Sequence, residues 1–359
     1  MRKKLFPWLA ACLLLSGCSG LPTAREMGNM ALLRTLGVDP SPAGVAVTGS
    51  TGPRAKGLQA EGEPALTLSA ERESLSGACL AMQGQSDSYV FFGYVDQLLI
   101  GEELAEEGIQ PVLDYFSKDA ELGLGAQLWL VRGSTAREAL SAGGDKGVDS
   151  RLETLQTDSK MGIASISRTA GETYTGLMEL GSAFVPALSP AGDDTAILLE
   201  NGYGVFRDGR LTGFLDGEAA RGLELLAGGA SSEILEVELS GGRVAVKTIS
   251  ARTKSELKFQ EDALSALKVD CKVEARLAEY RERLSAEDIK YLQKKLEARE
   301  RDRLERALEQ LRSWGADCTG LGAQAAMGHP ARWQELSPHW SQQFGQVPLE
   351  VTVELKINS

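Results

Sequence analysis

The chain has 359 residues, 38 of them Lys or Arg and 50 of them Asp or Glu, which gives a formal net charge of −12. With 43% hydrophobic and 25% charged residues its composition is that of a globular protein, and its length exceeds one compact core, so two or three domains are expected. The negative charge repels nucleic-acid phosphate and gains nothing from anionic lipid headgroups, which argues against both partners unless one face is locally basic.

The first predicted element is a short export signal. Basic residues at positions 2–4 precede an apolar run from Leu5 to Leu15, which is too short to span a bilayer and is typical of a secretory signal. The run ends in Leu15-Ser16-Gly17-Cys18, the order of a lipobox, in which cleavage before the cysteine follows transfer of diacylglycerol to its thiol. An ordinary cleaved signal with an incidental cysteine fits the charge and length equally well but leaves this order unexplained.

Cys18 is therefore the predicted lipidation site, and residues 1–17 are the predicted signal peptide. No later apolar stretch approaches the roughly 18 residues that a spanning helix needs, so the rest of the chain is expected to be soluble. Two acyl chains hold a protein durably on a membrane. Loss of residues 1–17 removes three positive charges and no acid, so the net charge of −12 becomes about −15. Lipid, not charge, is expected to provide the attachment.

The remaining cysteines do not suggest a disulfide framework. Cys12 lies in the signal, and the mature part contains Cys79, Cys271 and Cys318, an odd number spread far apart. Cys79 and Cys271 fall within apolar periodic patterns and are predicted to be small buried hydrophobic residues.

Residues 18–40 are predicted to form a lipid-anchored tether and the start of the N-terminal domain, and residues 41–194 to form an α/β domain. Strands and helices alternate in this part of the chain, which favours a layered α/β arrangement. The predicted elements are an edge hairpin at 45–48 and 65–69, a helix from Arg72 to Met82, a buried strand from Tyr89 to Ile100, helices at 102–107 and 111–116, a strand at 126–131, a helix at 135–140, a loop at 141–150, helical structure up to Ala183 and a strand at 184–188.

Residues 195–254 are predicted to form a small α+β middle domain. Asp208-Gly209 is a strong two-residue hairpin signal between two short strands. Asp216 stands at the N-cap position of a predicted helix from Glu218 to Ala227, and a second hairpin turns at Gly241-Gly242.

Residues 255–359 are predicted to form an antiparallel sheet packed with one long helix. Apolar and polar residues alternate strictly over 269–277 and 347–357, as in half-buried strands. Ser285 and Asp288 have the spacing of a capping box, and Gly315 is predicted to end the helix. Acids and bases are interleaved from Glu297 to Arg306, which favours a solvated face over a basic binding surface. The fold class is therefore α+β (mixed α/β) in three domains.

No catalytic or metal constellation is evident in the sequence. The two histidines, His329 and His339, do not have the spacing of a zinc site. The chain also contains no Gly-x-Ser-x-Gly motif, whose serine would serve as a nucleophile beside a histidine. The glycine-rich segment 315–322 lacks the ending of a phosphate-binding loop and is interpreted as a helix end and turn. Four glutamates within residues 102–107 are interpreted as a solvated acidic cluster. No catalytic residue, metal ligand or cofactor is therefore predicted.

Trp333, Trp340 and Phe344 are spaced by seven and four residues and fall on one helical stripe. Two interpretations remain open for them: packing against the sheet, or a patch that contacts a partner, since aromatic anchors dominate interface energetics.

Three segments resemble the C-subunit lipoproteins of spore germinant receptors, the Ger(x)C family. They are Gly93 to Leu140, Gly204 to Gly228, and Trp314 to Phe344, the last containing Ala316-Asp317 and Gly320-Leu321-Gly322. With the lipobox and Arg25 to Asp39, the resemblance covers nearly the whole chain in the expected order. The chain departs from the family pattern at Lys118, where arginine is common, and at Thr319, where phenylalanine is expected.

The resemblance implies a non-catalytic, three-domain lipoprotein on the outer face of the inner spore membrane. In that family the partners are a membrane-embedded A subunit and a transporter-like B subunit, which carry nutrient binding and ion release. The C subunit has no cofactor, nucleic acid or small-molecule substrate of its own. The alternative is a solute-binding lipoprotein of a transporter, which would have two similar lobes of parallel β-α units. The antiparallel pattern of the C-terminal half favours the receptor subunit.

Overall fold

The computed structural model describes residues 30–52, 64–191, 198–229, 233–239, 242–261, 263–280 and 284–358. The predicted signal, Cys18 and the beginning of the Arg25 to Asp39 segment lie outside these residues. Within the described part the chain forms fifteen strands and eleven α-helices.

Most strands of the first 215 residues build one nine-stranded sheet. Its members are β2 (Thr35–Ser41), β3 (Gly44–Ser50), β4 (Thr67–Arg72), β6 (Gln97–Gly101), β7 (Gln127–Val131), β8 (Arg168–Thr169), β9 (Ser182–Pro190), β10 (Leu198–Arg207) and β11 (Arg210–Leu215). The order is β11-β10-β9-β7-β6-β2-β3-β4, with β8 beside β7. The central pairs β2–β6, β6–β7 and β7–β9 are parallel. A separate parallel pair joins β1 (Met30–Leu32) to β5 (Tyr89–Phe91).

The central strands β6 and β7 are buried along their whole length because both faces of the sheet are covered. Leu98 and Leu128 lie in one apolar cluster, whereas Leu99 and Trp129 lie in another on the opposite face. The helices that follow these strands in the chain are α1 (Leu75–Gln83), α2 (Glu102–Glu107), α3 (Gln110–Lys118), α4 (Ala136–Ser141), α5 (Asp149–Lys160) and α6 (Ala170–Leu180), with a 3₁₀ turn at Gly144–Lys146.

Two element boundaries differ from the sequence prediction. The helix predicted from Arg72 begins at Leu75, because Ser74 caps it by accepting a hydrogen bond from the amide of Gly77. The single strand predicted from Tyr89 to Ile100 is two strands, β5 and β6, which belong to different sheets.

The hairpin predicted at Asp208-Gly209 is confirmed, and both turn residues have positive φ angles, of 51° and 79°. Its strands β10 and β11, which the sequence assigned to the middle unit, extend the first sheet because β10 pairs with β9. The helix α7 (Gly217–Leu226) follows. Asp216 precedes it in extended conformation, but its carboxylate lies 3.3 Å from Arg132 and does not cap the helix.

The second sheet has the order β12-β13-β14-β15, formed by β12 (Ile234–Leu239), β13 (Gly242–Gln260), β14 (Ala263–Glu279) and β15 (Leu349–Asn358). The first two pairings are antiparallel, as predicted. The prediction of an antiparallel sheet is wrong for the last strand, since β15 runs parallel to β14. About seventy residues separate these strands, and a crossover of that length carries the chain back to the end of the sheet at which β14 began.

The long helix lies in that crossover. It is α8 (Ala286–Trp314), which begins with the predicted capping box of Ser285 and Asp288 and ends at Gly315 in left-handed conformation. Three short helices complete the crossover: α9 (Leu321–Ala326), α10 (Pro330–Leu336) and α11 (Trp340–Gln346), with a 3₁₀ turn at Ser337–His339. Leucines of α8 pack on the apolar face of β14 and β15 in one core.

Candidate functional site

The three aromatic residues singled out in the sequence form a continuous stack. The rings of Trp333 and Trp340 meet edge to face with centroids 5.3 Å apart, and those of Trp340 and Phe344 are 5.9 Å apart. Trp340 and Phe344 belong to the core around α8, whereas Trp333 is half-buried at its margin. The structure thus places two of the three residues in the core and one partly at the surface.

This stack is tied to the glycine-rich segment through the buried carboxylate of Asp317. That carboxylate accepts hydrogen bonds from the Trp340 indole at 2.8 Å and from the amides of Leu321 at 2.8 Å and Gly322 at 2.7 Å. Burial raises the pKa of Asp317, and these hydrogen bonds act in the opposite direction. A Cβ atom on Gly322 would lie 2.2 Å from the Trp340 ring, so only glycine permits this approach. The segment predicted as a helix end and turn is built around this carboxylate.

A second polar centre lies on α8, within the run from Glu297 to Arg306 that was predicted to be a solvated face. That prediction is wrong for Arg303 and Glu300, which are both buried. Arg303 donates to both carboxylate oxygens of Glu233 at 2.6 and 3.0 Å, to Glu300 at 3.2 Å, and also to Glu218. The hydrogen bond from Arg303 holds the pKa of Glu218 below its ordinary value.

Burial of this charge follows from the close crossing of α7 and α8. A Cβ atom on Gly222 would lie 2.0 Å from the carbonyl oxygen of Arg303, so a glycine at this point lets the helices meet. Beside it, Glu224 accepts hydrogen bonds from Arg221 at 2.9 Å and from the Tyr203 hydroxyl at 2.8 Å. The resembling segment Gly204 to Gly228 therefore forms much of the surface against which α8 packs.

The first resembling segment is fastened in a similar way. The carboxylate of Asp39 accepts hydrogen bonds from the amides of Ala136 at 2.7 Å and Arg137 at 2.9 Å, at the start of α4. A Cβ atom on Gly101 would lie 2.1 Å from this carboxylate. The described part of the Arg25 to Asp39 segment and the segment from Gly93 to Leu140 thus meet at one buried acid, Asp39.

A groove of about 800 Å³ lies where α6, the end of α7, β13 and the loop after Asp317 meet. We call it the Arg168 groove. The Arg168 guanidinium stacks on the ring of Phe184, 4.1 Å from its centroid, and lies 3.8 Å from Glu172. Among the described residues the Thr319 hydroxyl has no hydrogen-bond partner. This groove was not predicted from the sequence, because residues 151–183 were interpreted as helical and the capping box of Thr169 and Glu172 at the start of α6 was not recognised.

The other residues considered in the sequence lie apart from these centres. His329 and His339 are exposed at helix starts, and His329 packs edge to face on Phe259. Glu102 accepts a hydrogen bond from the Gly133 amide at 2.5 Å. Cys79, Cys271 and Cys318 are buried as free thiols. Across the ranges that the structure describes, the acids, cysteines and histidines form no group of three or more suited to a metal ion.

The structure also bears on membrane attachment. Within the described ranges, no helix combines the length and apolarity needed to cross a bilayer. Cys18, the predicted lipidation site, lies outside those ranges.

Comparisons with known proteins agree with the resemblance. Residues 23–190 match the family model described as "Spore germination protein N-terminal domain", and residues 201–359 match "Spore germination B3/ GerAC like, C-terminal". Among solved structures, the chain is similar to the one titled "Crystal Structure of the GerBC protein", with a TM-score of 0.61 and 16% identity over 90% of this chain and 97% of that chain. At this identity the likeness shows a shared fold, and it confirms the mixed α/β class. A search of curated proteins gives no match.

Proposed function

The chain belongs to the spore germination B3/GerAC-like family, and we propose that it is the C-type lipoprotein subunit of a germinant receptor. In this proposal, acylated Cys18 holds the protein on the outer face of the inner spore membrane, where it positions or supports membrane-embedded A and B subunits and catalyses no reaction. The single observation that carries the proposal is the pair of family matches, which together cover residues 23–190 and 201–359.

The fold supports a positioning role because the resembling segments are joined into one unit. The amide of Ile109, in the first segment, donates to the carbonyl of Gly209 in the second at 2.9 Å. A Cβ atom on Gly213 would lie 2.6 Å from the ring of Trp314, where the third segment begins. Contacts of this kind resist rearrangement, as expected of a part that holds partners in place.

Lipid attachment would make weak contacts sufficient. Confinement to a membrane raises the effective concentration of each partner, so a contact that is weak in solution becomes occupied. Two acyl chains at Cys18 would provide durable confinement.

The proposal is tested with spores that carry Cys18→Ala, compared with a deletion strain and with Cys12→Ala, which changes a cysteine of the cleaved signal and leaves the lipobox intact. We expect Cys18→Ala to impair nutrient-triggered germination almost as severely as deletion, and Cys12→Ala to leave it normal. The wild-type protein should co-purify with multi-spanning membrane proteins in mild detergent. Normal germination in a strain that lacks this protein and its paralogues would reject the proposal.

The solute-binding alternative receives no support from the fold. It requires two similar lobes of parallel β-α units. The two main sheets instead differ, since one has nine strands in mixed order and the other is built on the long antiparallel pair β13 and β14.

A further inference from the structure

The Arg168 groove contains a cation that the protein itself satisfies poorly. The side chain of Arg168 is 27% exposed, and its nearest carboxylate, on Glu172, is 3.8 Å away, which is longer than a hydrogen bond. Within the described residues its guanidinium makes no hydrogen bond, although a guanidinium carries five N–H donors. Burial lowers the pKa of Arg168, which reflects the cost of withdrawing this charge from water.

The carboxylate nearest to Arg168 is partly engaged elsewhere, and its free oxygen faces the guanidinium at 3.8 Å. One oxygen of Glu172 accepts hydrogen bonds from the amide of Thr169 at 2.8 Å and from its hydroxyl at 3.1 Å, which completes the capping box of α6. Glu179 is the other acid that lines the groove, and Arg252 is its second base. The formal charges of the residues that line the groove therefore balance. The feature that favours a ligand here is the set of unused hydrogen-bond donors and not a net charge.

Two further donors line the groove, the buried hydroxyl of Thr319 and the side-chain amide of the solvent-exposed Gln324. The Thr319 hydroxyl is withdrawn from solvent and unpaired among the described residues. The side-chain oxygen of Gln324 accepts from the amide of Ser255 at 2.8 Å and from its hydroxyl at 2.9 Å, so its amide nitrogen is the group that remains for a ligand. An unpaired buried donor costs free energy that a bound acceptor recovers.

The same groove has an apolar wall. Leu180, Leu226 and Ala251 line it together with Phe184. Its volume of about 800 Å³ falls within the range of small-molecule sites, which combine an apolar lining with a few convergent polar groups. The opening is therefore suited to a compact organic molecule with one acceptor-rich end.

We propose that the Arg168 groove binds a small organic carboxylate, with the carboxylate on Arg168 and Thr319 and the apolar part against Leu226 and Ala251. A guanidinium matches a carboxylate with two parallel hydrogen bonds, and its planar fork suits this ligand better than a point charge does. This site goes beyond the proposed function, which assigns the subunit no ligand of its own. Its binding test requires neither the A and B subunits nor germination, so the two proposals can fail separately.

The test uses the full mature protein in lipid nanodiscs and equilibrium dialysis of radiolabelled benzoate, with empty nanodiscs as the background. Benzamide has the same shape without the charge, and acetate has the carboxylate without the apolar part. We expect benzoate to bind saturably and at least about tenfold more tightly than benzamide, with acetate weaker than benzoate. This comparison is made on the unaltered chain, so it decides the proposal even if a variant fails to fold.

Variants then locate the site. Arg168→Gln should weaken benzoate binding by about tenfold or more, and Thr319→Val by about threefold, because each removes donors to the carboxylate. Arg243→Gln, at an exposed arginine paired with Glu236 and Glu238 outside the groove, should leave binding unchanged. Equal binding of benzoate and benzamide, no benzoate binding up to about 20 mM, or full binding by folded Arg168→Gln would overturn the proposal.

Discussion

Arg303 and Arg168 are both withdrawn from water but differ in what surrounds them. The side chain of Arg303 is 5% exposed and donates to three carboxylates, whereas that of Arg168 is 27% exposed and has a single carboxylate at 3.8 Å. A buried charge that is fully hydrogen-bonded fixes the elements around it, and removal of one partner leaves the others unpaired. A half-buried charge with unused donors, such as Arg168, is instead where the proposed ligand would supply an acceptor. The comparison thus sets a charge that is paired within the protein against one that we propose pairs with a ligand.

The largest effect is expected at the satisfied centre. Arg303→Ala removes the cation from Glu300, Glu233 and Glu218, although Arg299 still donates to buried Glu300 at 2.7 Å. We therefore expect a loss of about 3 kcal/mol in the free energy of unfolding, at the lower end of the range for a broken buried ion pair. Denaturant titration followed by circular dichroism measures this loss.

A matched control lies on the same helix. Arg306→Ala breaks the exposed ion pair with Asp302, at 2.7 Å, and should leave the free energy of unfolding nearly unchanged, because water and salt screen such a pair. If the two variants proved equally stable, the network around Arg303 would not be what holds α8 on α7.

The next effect concerns the glycine that lets these helices meet. Gly222→Ala would place a methyl group 2.0 Å from the Arg303 carbonyl oxygen, so the helices must separate, and we expect a loss of about 1–3 kcal/mol. Gly125→Ala is the control, because a Cβ atom there meets nothing within 4 Å. Thermal unfolding of both variants measures the difference, and an unchanged midpoint for Gly222→Ala would contradict the close crossing.

The contrast between these two centres also shows which features sequence patterns predict. Local signals predicted the start of α8 at Ser285, its end at Gly315 and the turn at Asp208-Gly209, because capping and hairpin chemistry depend on neighbouring residues. Burial of Arg303 was missed because it depends on α7, some eighty residues earlier in the chain. A run of interleaved acidic and basic residues has the same sequence pattern whether it faces solvent or packs against another helix.

Long-range pairing explains the other differences. Strand alternation predicted β15 from its own residues, but its parallel direction is set by the crossover through α8. Likewise, β10 joins the first sheet through its contact with β9, which no local pattern encodes. The Arg168 groove is formed by four elements that are distant in the chain. The sequence contained a local signal for one of them, the capping box of Thr169 and Glu172 that begins α6.

The Asp317 centre should show a moderate effect with a defined pH dependence. Trp340→Phe removes one hydrogen bond from a buried carboxylate and should cost about 1–3 kcal/mol at neutral pH. The raised pKa of Asp317 means that the folded protein binds a proton here more tightly than the unfolded chain does. This group therefore favours folding below its unfolded pKa and disfavours it as the pH rises through the folded pKa.

The loss caused by Trp340→Phe should consequently be smaller at acidic pH, where a protonated Asp317 needs fewer donors. Unfolding midpoints of wild type and variant across this pH range provide the measurement. Trp333→Phe is the control, since the Trp333 ring packs on Trp340 and is not among the hydrogen-bond donors to the carboxylate in the described part of the chain. A loss that is independent of pH would indicate that the indole ring contributes by packing alone.

The smallest effect is expected at Arg168, and it decides whether the comparison holds. Arg168→Gln breaks no hydrogen bond among the described residues. It gives up an ion pair with half-exposed Glu172, which contributes at most about 1 kcal/mol, and a stacking contact with Phe184 of similar size. It also removes a charge whose burial is costly, so these contributions oppose each other and the free energy of unfolding should change by less than about 1 kcal/mol. Denaturant titration of Arg168→Gln and Arg303→Gln measures the loss in the free energy of unfolding at each site for the same substitution. A loss at Arg168 as large as that at Arg303 would make Arg168 a structural residue. A cation whose role is to bind a ligand should not stabilise the protein when no ligand is bound.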